Sequence, residues 1–151
     1  MINWLMVLVA FSLMPLLFST GAASARDLSL KEILPRNFAY YPIYNARAVA
    51  VDTQGNFYVS SVPSRCILKI SSTTGAILAT WGSPGSGDGQ LYEVWGAVVD
   101  GSGNVHITDR QNGRVQKFDA NGVYLAQWGN GQVGDARGMA RDSSGNLYVA
   151  D

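Results

Sequence analysis

The sequence predicts an all-β chain made of repeated four-stranded antiparallel sheets. Three similar segments support this prediction: AVAVDTQGNFYVSS, GAVVDGSGNVHITD and GMARDSSGNLYVAD. Their aspartates, Asp52, Asp100 and Asp142, are 48 and 42 residues apart, and a Gly-Asn pair follows each one at the same offset. The 17 glycines and the 11% of aromatic residues are typical of short strands joined by tight turns.

Each repeat divides into four modules that have the character of strands. AVAVD and GAVVD are short and apolar, and NFYVSS, NVHITD and NLYVAD alternate with period two. The D-x-x-G-N between them predicts a hairpin turn whose glycine has a positive φ. A third module, RCILKI or GRVQKFD, and a fourth, GAILATWG or GVYLAQWG, complete a unit of the size of one propeller blade. We assign the tryptophans of the fourth module, Trp81 and Trp128, to packing.

The pattern G-x-A-V-D-x-x-G-N, followed by N-x-R-V-Q-K-F-D and L-x-x-W-G, resembles the NHL repeat family of β-propellers. The resemblance covers residues 46–151 and is closest from Gly96 to Gly129. It implies a partial β-propeller with two full blades and half of a third, in which the first strand of each blade is the inner one. The segment GSGDGQL at 85–91 resembles the family's connection between blades. WD40 blades are similar in length, but their Gly-His and Trp-Asp signatures do not occur in these units.

The first repeat departs from this pattern at two positions. Ser61 and Cys66 stand where the second repeat has Asp109 and Arg114. Cys66 is the single cysteine, so the sequence predicts neither a disulfide framework nor a cysteine-based zinc site. A small, partly buried side chain is favoured over a reactive thiol at this position.

The residues before the repeats have a different composition. Residues 1–25 contain the uncharged run WLMVLVAFSLMPLLF and end in a small-residue pattern, which predicts a signal peptide cleaved after Ala25. An uncleaved membrane anchor is the alternative, although the run is short for a span and Pro15 interrupts it. Residues 26–45 form a lead-in segment before the repeats at 46–151. The expected location is secreted, periplasmic or otherwise extracytoplasmic.

The segment VVDGSGNVHITD contains the one histidine of the chain, His106. His106 falls in the repeat column of Tyr58 and Tyr148, so we expect a structural ring in the middle of the second strand. The letters DGSGN also resemble the start of a calcium-binding loop. However, Val105 and Gln111 stand where an EF-hand needs glycine and glutamate. The sequence therefore predicts no metal and no other cofactor.

Asp109 and Asp151 recur at the end of the second strand and are interpreted as acceptors that stabilise turns. With the one histidine assigned to a strand, no Ser-His-Asp arrangement is available. No catalytic residue is predicted, and an enzymatic function is disfavoured without being excluded.

The candidate binding residues are Arg47, Trp95 and Arg137, which share the column just before the first glycine or alanine of each inner strand. We expect them to line one face near the channel mouth, one per blade. Arginine offers a planar fork for carboxylate or phosphate groups, and tryptophan offers a rigid stacking surface. The alternative is that they are ordinary loop residues, with Trp95 packed between blades.

Two functions remain open at this point. One is an exported module that binds a protein, peptide or glycan through one propeller face. The other is a fragment of an exported six-bladed enzyme of the amidating lyase or lactonase type, whose active site lies mostly outside this chain. The formal net charge of +0 argues against nucleic-acid binding. Membrane contact is expected only if the signal peptide is retained, and self-association is a further way to close the propeller.

Overall fold

A computed structural model of the chain describes Ile43 and residues 45–151. These residues form ten strands and one short 3-10 helix, Arg110–Asn112. The strands are β1 (Val49–Val51), β2 (Phe57–Ser61), β3 (Cys66–Ile70), β4 (Ile77–Trp81), β5 (Val94–Val99), β6 (Val105–Asp109), β7 (Arg114–Phe118), β8 (Tyr124–Trp128), β9 (Gly138–Arg141) and β10 (Leu147–Ala150).

The predicted signal peptide, residues 1–25, lies outside the described residues, as does nearly all of the lead-in segment. Among the residues whose structure is described, no helix has the length and apolar character needed to cross a membrane.

The strands assemble in sequence order into antiparallel sheets. We call β1-β2-β3-β4 blade 1, β5-β6-β7-β8 blade 2 and the two-stranded sheet β9-β10 half-blade 3. Within each sheet, every strand pairs with its neighbour along the chain. The predicted fold class, all-β with four-stranded antiparallel blades, is confirmed.

The D-x-x-G-N segments are the hairpin turns between the first two strands of each unit. Gly55, Gly103 and Gly145 have φ angles of 84°, 83° and 90°. The N–H of each glycine donates to the carbonyl of the turn aspartate at 3.0–3.2 Å. Each aspartate carboxylate also accepts the backbone N–H of the turn asparagine at 2.8–2.9 Å. The turn aspartates are therefore engaged by the chain's own amides.

Trp81 fills the interface between blades 1 and 2. Its side chain is 8% exposed, and its ring lies 5.9 Å from Tyr58 and 6.2 Å from Phe118, centroid to centroid. Gly122 of blade 2 has φ +89°, and a Cβ there would come within 2.5 Å of the Trp81 ring. The close approach of blade 2 to this indole therefore requires glycine at position 122.

Trp128 does not repeat this environment. It is 38% exposed, and its ring contacts His106 with 5.5 Å between centroids. Phe118 and Gly122, which cover Trp81, belong to the third strand of blade 2 and the turn after it, and half-blade 3 has no corresponding described residues. The assignment of the fourth-module tryptophans to packing is thus right for Trp81 and only partly right for Trp128.

The first strands of the three units are neighbours, since β5 contacts both β1 and β9. Their backbones approach closely at Gly96, where a Cβ would lie 3.0 Å from the Met139 nitrogen. This arrangement brings the beginnings of all three inner strands to one end of the structure.

Cys66 lies in β3 with its side chain buried. Burial raises the pKa of its thiol, which favours the neutral and unreactive form. The small side chain expected from the sequence is observed, and it is buried rather than partly buried.

Candidate functional site

A buried carboxylate fixes the entry into the inner strand of blade 2. Asp109, at the end of β6, is 0% exposed. Its Oδ1 accepts the backbone N–H groups of Tyr92 and Glu93 at 2.9 and 3.3 Å. Its Oδ2 accepts from Asn112 at 2.7 Å and from Nε of Arg114 at 3.2 Å. Asp109 is therefore an acceptor that holds the strand entry, as expected.

The other two units hold the same place by related means. In half-blade 3, Oδ1 of Asp151 accepts the backbone N–H of Asp135 at 2.6 Å. In blade 1, the Ser60 hydroxyl accepts the N–H groups of Arg47 and Ala48 at 3.1 and 2.9 Å. In blade 2, the Thr108 hydroxyl accepts the N–H of Gly96 at 2.7 Å in the same way as Ser60 does in blade 1. These bonds hold the chain just before the first strand of each unit, where Arg47, Trp95 and Arg137 lie.

The three candidate residues meet at one indole ring. The Arg47 guanidinium carbon lies 4.1 Å from the Trp95 ring centroid, and that of Arg137 lies 5.2 Å away. A third guanidinium, from Arg110, lies at 5.6 Å. All three distances are within the range of about 6 Å for cation–π attraction. We call these four residues the arginine cluster.

Two carboxylates link the guanidinium groups to one another. Glu93 forms salt bridges with Arg47 and with Arg110, the latter at 2.8 Å. Asp135 pairs with Arg110 and with Arg137, the latter at 3.0 Å. Three arginines and two carboxylates leave one positive charge uncompensated within this group.

The arginines keep both carboxylates ionised. Burial opposes ionisation of Glu93, but hydrogen bonds from Arg110 and Arg47 outweigh it and lower its pKa. The indole N–H of Trp95 adds to this lowering of the Glu93 pKa, although it falls short of hydrogen-bond geometry. Hydrogen bonds from Arg110 and then Arg137 lower the pKa of Asp135.

Exposure increases across the cluster from blade 1 to half-blade 3. The Arg47 side chain is 26% exposed, whereas that of Arg137 is 57% exposed. Trp95 is partly buried, so it is neither sealed between blades nor open to solvent. The guanidinium groups of the three arginines lie over its ring, so the indole supports them.

Sequence reasoning found Arg47, Trp95 and Arg137 but missed Arg110, Glu93 and Asp135. The two acids had a usable signal, because each stands two residues before a member of the predicted column. The repeat pattern gave no signal for Arg110, since this residue reaches the cluster from the short helix that follows β6.

His106 lies in the middle of β6 with its ring buried, as predicted. Its Nε2 is 3.0 Å from Oδ2 of Asp100. In the same column, the Tyr58 and Tyr148 hydroxyls donate to their turn aspartates at 3.2 and 3.0 Å. Burial opposes ionisation of Asp100, but hydrogen bonds from Asn104 and His106 hold its pKa well below the usual range. The histidine therefore performs the task of the tyrosines.

Within the described part of the chain, no group of three or more His, Cys, Asp or Glu side chains is arranged to hold a metal ion. The arginine cluster is the candidate site, and its guanidinium groups are hydrogen-bond donors that suit carboxylate or phosphate groups.

No protein-family model matches the sequence. Among curated proteins, it is similar to Protein lin-41 of Caenorhabditis elegans, with 46% identity over 50 residues. That match covers 33% of this chain and 4% of lin-41. The E3 ubiquitin-protein ligase TRIM71 of Rattus norvegicus is 29% identical over 89 residues, which is 57% of this chain and 10% of TRIM71. The chain thus spans at most about a tenth of these relatives.

Solved structures resemble the chain over most of its length. The WD40 β-propeller domain of Doa1 matches 72% of this chain and 34% of that chain, with a TM-score of 0.56 and 19% identity. The fold is that of β-propeller blades. A streptogramin B lyase matches 74% of this chain and 35% of its own chain, with a TM-score of 0.58 and 13% identity. At such identities the likeness concerns the fold alone.

Proposed function

We propose that the chain belongs to an exported NHL-type β-propeller that binds an acidic protein or peptide segment through the face carrying Arg47, Trp95 and Arg137. The observation that carries the proposal is their convergence: guanidinium groups from the entries of blade 1 and half-blade 3 lie over an indole from blade 2. Arginine and tryptophan are enriched at binding hot spots. The resemblance of the repeats to NHL units and the blade fold support the family assignment.

The charge balance of the cluster indicates the chemistry of the ligand. Arg137 pairs with Asp135, and both side chains are more than half exposed. An exposed ion pair contributes only about 0–1 kcal/mol, so a ligand carboxylate can replace Asp135 at little cost. The Arg137 fork then binds the ligand, and the uncompensated positive charge of the cluster adds attraction.

Trp95 has a positioning part in this proposal. It restrains three long, flexible arginine side chains before the ligand arrives, which reduces the entropy lost on binding. Nucleic acid is left out of the proposal because the formal net charge is +0 and the residues near the cluster include two carboxylates. The enzymatic alternative has no observation of its own, since the similarity to a lyase concerns the fold.

The test begins with peptides selected on the full chain from a random 12-residue phage-displayed library. We expect the selected peptides to be rich in Asp and Glu. Arg137→Ala should weaken their binding at least tenfold, and Trp95→Ala should cost about 2 kcal/mol or more. Fluorescence anisotropy with a labelled selected peptide measures both effects.

Arg141→Ala is the matched control, because it removes the same charge at the opposite end of β9. It should leave peptide binding within about twofold of wild type. If Arg137→Ala and Arg141→Ala lost equal affinity for the peptide, the effect would be explained by general electrostatic attraction rather than by a contact at Arg137. Selected peptides without acidic residues would also contradict the proposal.

Export rests on residues 1–25 and has its own test. In a host with a secretory pathway, the chain should appear outside the cytoplasm and begin at Arg26. Amino-terminal sequencing of the recovered protein checks both points. A chain that stays in the cytoplasm, or an exported chain that keeps residues 1–25, would contradict export with cleavage after Ala25.

A further inference from the structure

Blade 1 has an arginine at a position where blade 2 has glycine. Arg65 directly precedes β3, and the repeat aligns it with Gly113, which directly precedes β7. Both residues have a left-handed backbone, with φ angles of 50° and 63°. Glycine takes this conformation readily, whereas a residue with a Cβ rarely does. The entry into β3 therefore carries an arginine side chain at a conformational cost that glycine would remove.

The Arg65 side chain lies against a partly exposed tyrosine. Its guanidinium carbon is 3.8 Å from the centroid of the Tyr92 ring, and 37% of Tyr92 is exposed. No carboxylate of the described residues forms a salt bridge with Arg65. The ring thus supports a guanidinium whose charge no described carboxylate neutralises. We call these two residues the Arg65–Tyr92 pair.

The next junction along the chain has neither of these side chains. Tyr92 stands three residues before the column of candidate binding residues, and Gly134 stands at the same offset in the next unit. The junction of blade 2 with half-blade 3 therefore has Gly113 and Gly134 in place of the pair. The two segments are neighbours there as well, since a Cβ on Gly113 would lie 3.6 Å from the Val133 carbonyl oxygen. A junction of this kind thus forms without the pair.

The Arg65–Tyr92 pair and the arginine cluster lie at the same end of the blades. The turn after β2, which carries Arg65, corresponds to the turn after β6, which carries Arg110 of the cluster. Tyr92 directly precedes Glu93, whose carboxylate pairs with Arg110. Asp109 accepts the backbone N–H groups of both Tyr92 and Glu93. One buried carboxylate therefore fixes the segment that joins the pair to the cluster.

We propose that the Arg65–Tyr92 pair is a second subsite for the acidic segment, and that it binds a second carboxylate of that segment. This inference rests on the proposed function. The Arg65 fork donates to the carboxylate, and the exposed part of the Tyr92 ring packs against the apolar part of the same ligand side chain. The ligand is thus a segment with two separate acidic residues, one for each subsite.

The variant Arg65→Gly separates a binding role from a structural one. Glycine matches blade 2 and relieves the left-handed strain, so the urea midpoint of the full chain should equal that of wild type or exceed it. Binding of fluorescein-labelled hexaglutamate, measured by anisotropy, should weaken about fivefold or more. Arg65→Lys keeps the charge without the planar fork, and its affinity should lie between the two. Arg141→Ala is again the charge control and should stay within about twofold of wild type.

A double-mutant cycle locates the second carboxylate. The probe is an acidic peptide selected from the 12-residue library, in which each Asp or Glu is replaced in turn by Asn or Gln. For one acidic residue, the replacement should cost about threefold less affinity, or lower still, in Arg65→Gly than in wild type, because its partner is already missing. A different acidic residue should show this coupling to Arg137→Ala. Damage to folding would weaken all of the peptides alike.

The outcomes separate this inference from the proposed function. Hexaglutamate affinity of Arg65→Gly within twofold of wild type would overturn the second subsite, as would coupling of Arg65 and Arg137 to the same peptide residue. A lower urea midpoint with unchanged binding would assign the pair to packing between blades. Acidic peptides that depend on Arg137 and not on Arg65 would leave the proposed function standing. A chain that selects no acidic peptides would overturn both.

Discussion

Replacing Trp81 with alanine should lower the free energy of unfolding by about 3–5 kcal/mol, the range for a large aromatic side chain removed from a core. Trp81 is buried between blades 1 and 2, where Tyr58 and Phe118 contact its ring. The cavity would therefore open at the blade interface. Urea denaturation of the full chain, followed by circular dichroism, measures the change.

Trp128→Ala is the control, since it removes the same side chain from the same place in the next repeat. Its ring is more exposed than that of Trp81, so the loss should be less than half as large. Gly122→Ala tests the interface from the other side, because its Cβ would collide with the Trp81 ring. Equal destabilisation by Trp81→Ala and Trp128→Ala would show that the assigned interface does not carry the stability.

Asp109→Ala should also cost about 3–5 kcal/mol, because it leaves the buried Arg114 cation without its carboxylate. The variant also destabilises the segment before β5, since the backbone N–H groups of Tyr92 and Glu93 lose their hydrogen-bond acceptor. We expect the same variant to disturb the arginine cluster through Glu93. Chemical denaturation gives the stability, and binding of a selected acidic peptide reports on the cluster.

Blade 1 provides the compensating change for this second prediction. It carries Ser61 and Cys66 at the corresponding positions, a pair without formal charge. The double variant Asp109→Ser with Arg114→Cys should therefore lose less stability than the sum of the two single variants. Asp119→Ala serves as the control: it removes a partly buried turn carboxylate that accepts two backbone N–H groups, so it should cost less stability than Asp109→Ala. Additive losses in the double variant would mean that Asp109 and Arg114 do not act as a pair.

The repeats made most of the fold predictable. Sequence periodicity located the strands, and the positive φ of Gly55, Gly103 and Gly145 confirms the predicted turns. The same alignment identified the structural place of His106 and brought Arg47, Trp95 and Arg137 to one level. These placements share a cause, since equal columns in a repeat occupy equal positions in successive blades.

The contacts that break the repeat were not predictable in this way. Arg110 reaches Trp95 from a short helix that has no described counterpart in the other units. The exposure of Trp128 depends on its neighbours in space rather than on its own column. The pairing of Arg137 with Asp135 likewise needed coordinates, because it decides which donors of the cluster are open to a ligand.

The order of the strands has a consequence for biosynthesis. Each strand of a blade pairs with the one made immediately before it, so its hydrogen bonds close short loops at a small entropic cost. The indole of Trp81 completes blade 1 but is covered only when Phe118 and Gly122 have been translated. We therefore expect the nascent chain to fold from the amino-terminal side, with each finished blade serving as the surface on which the next one forms.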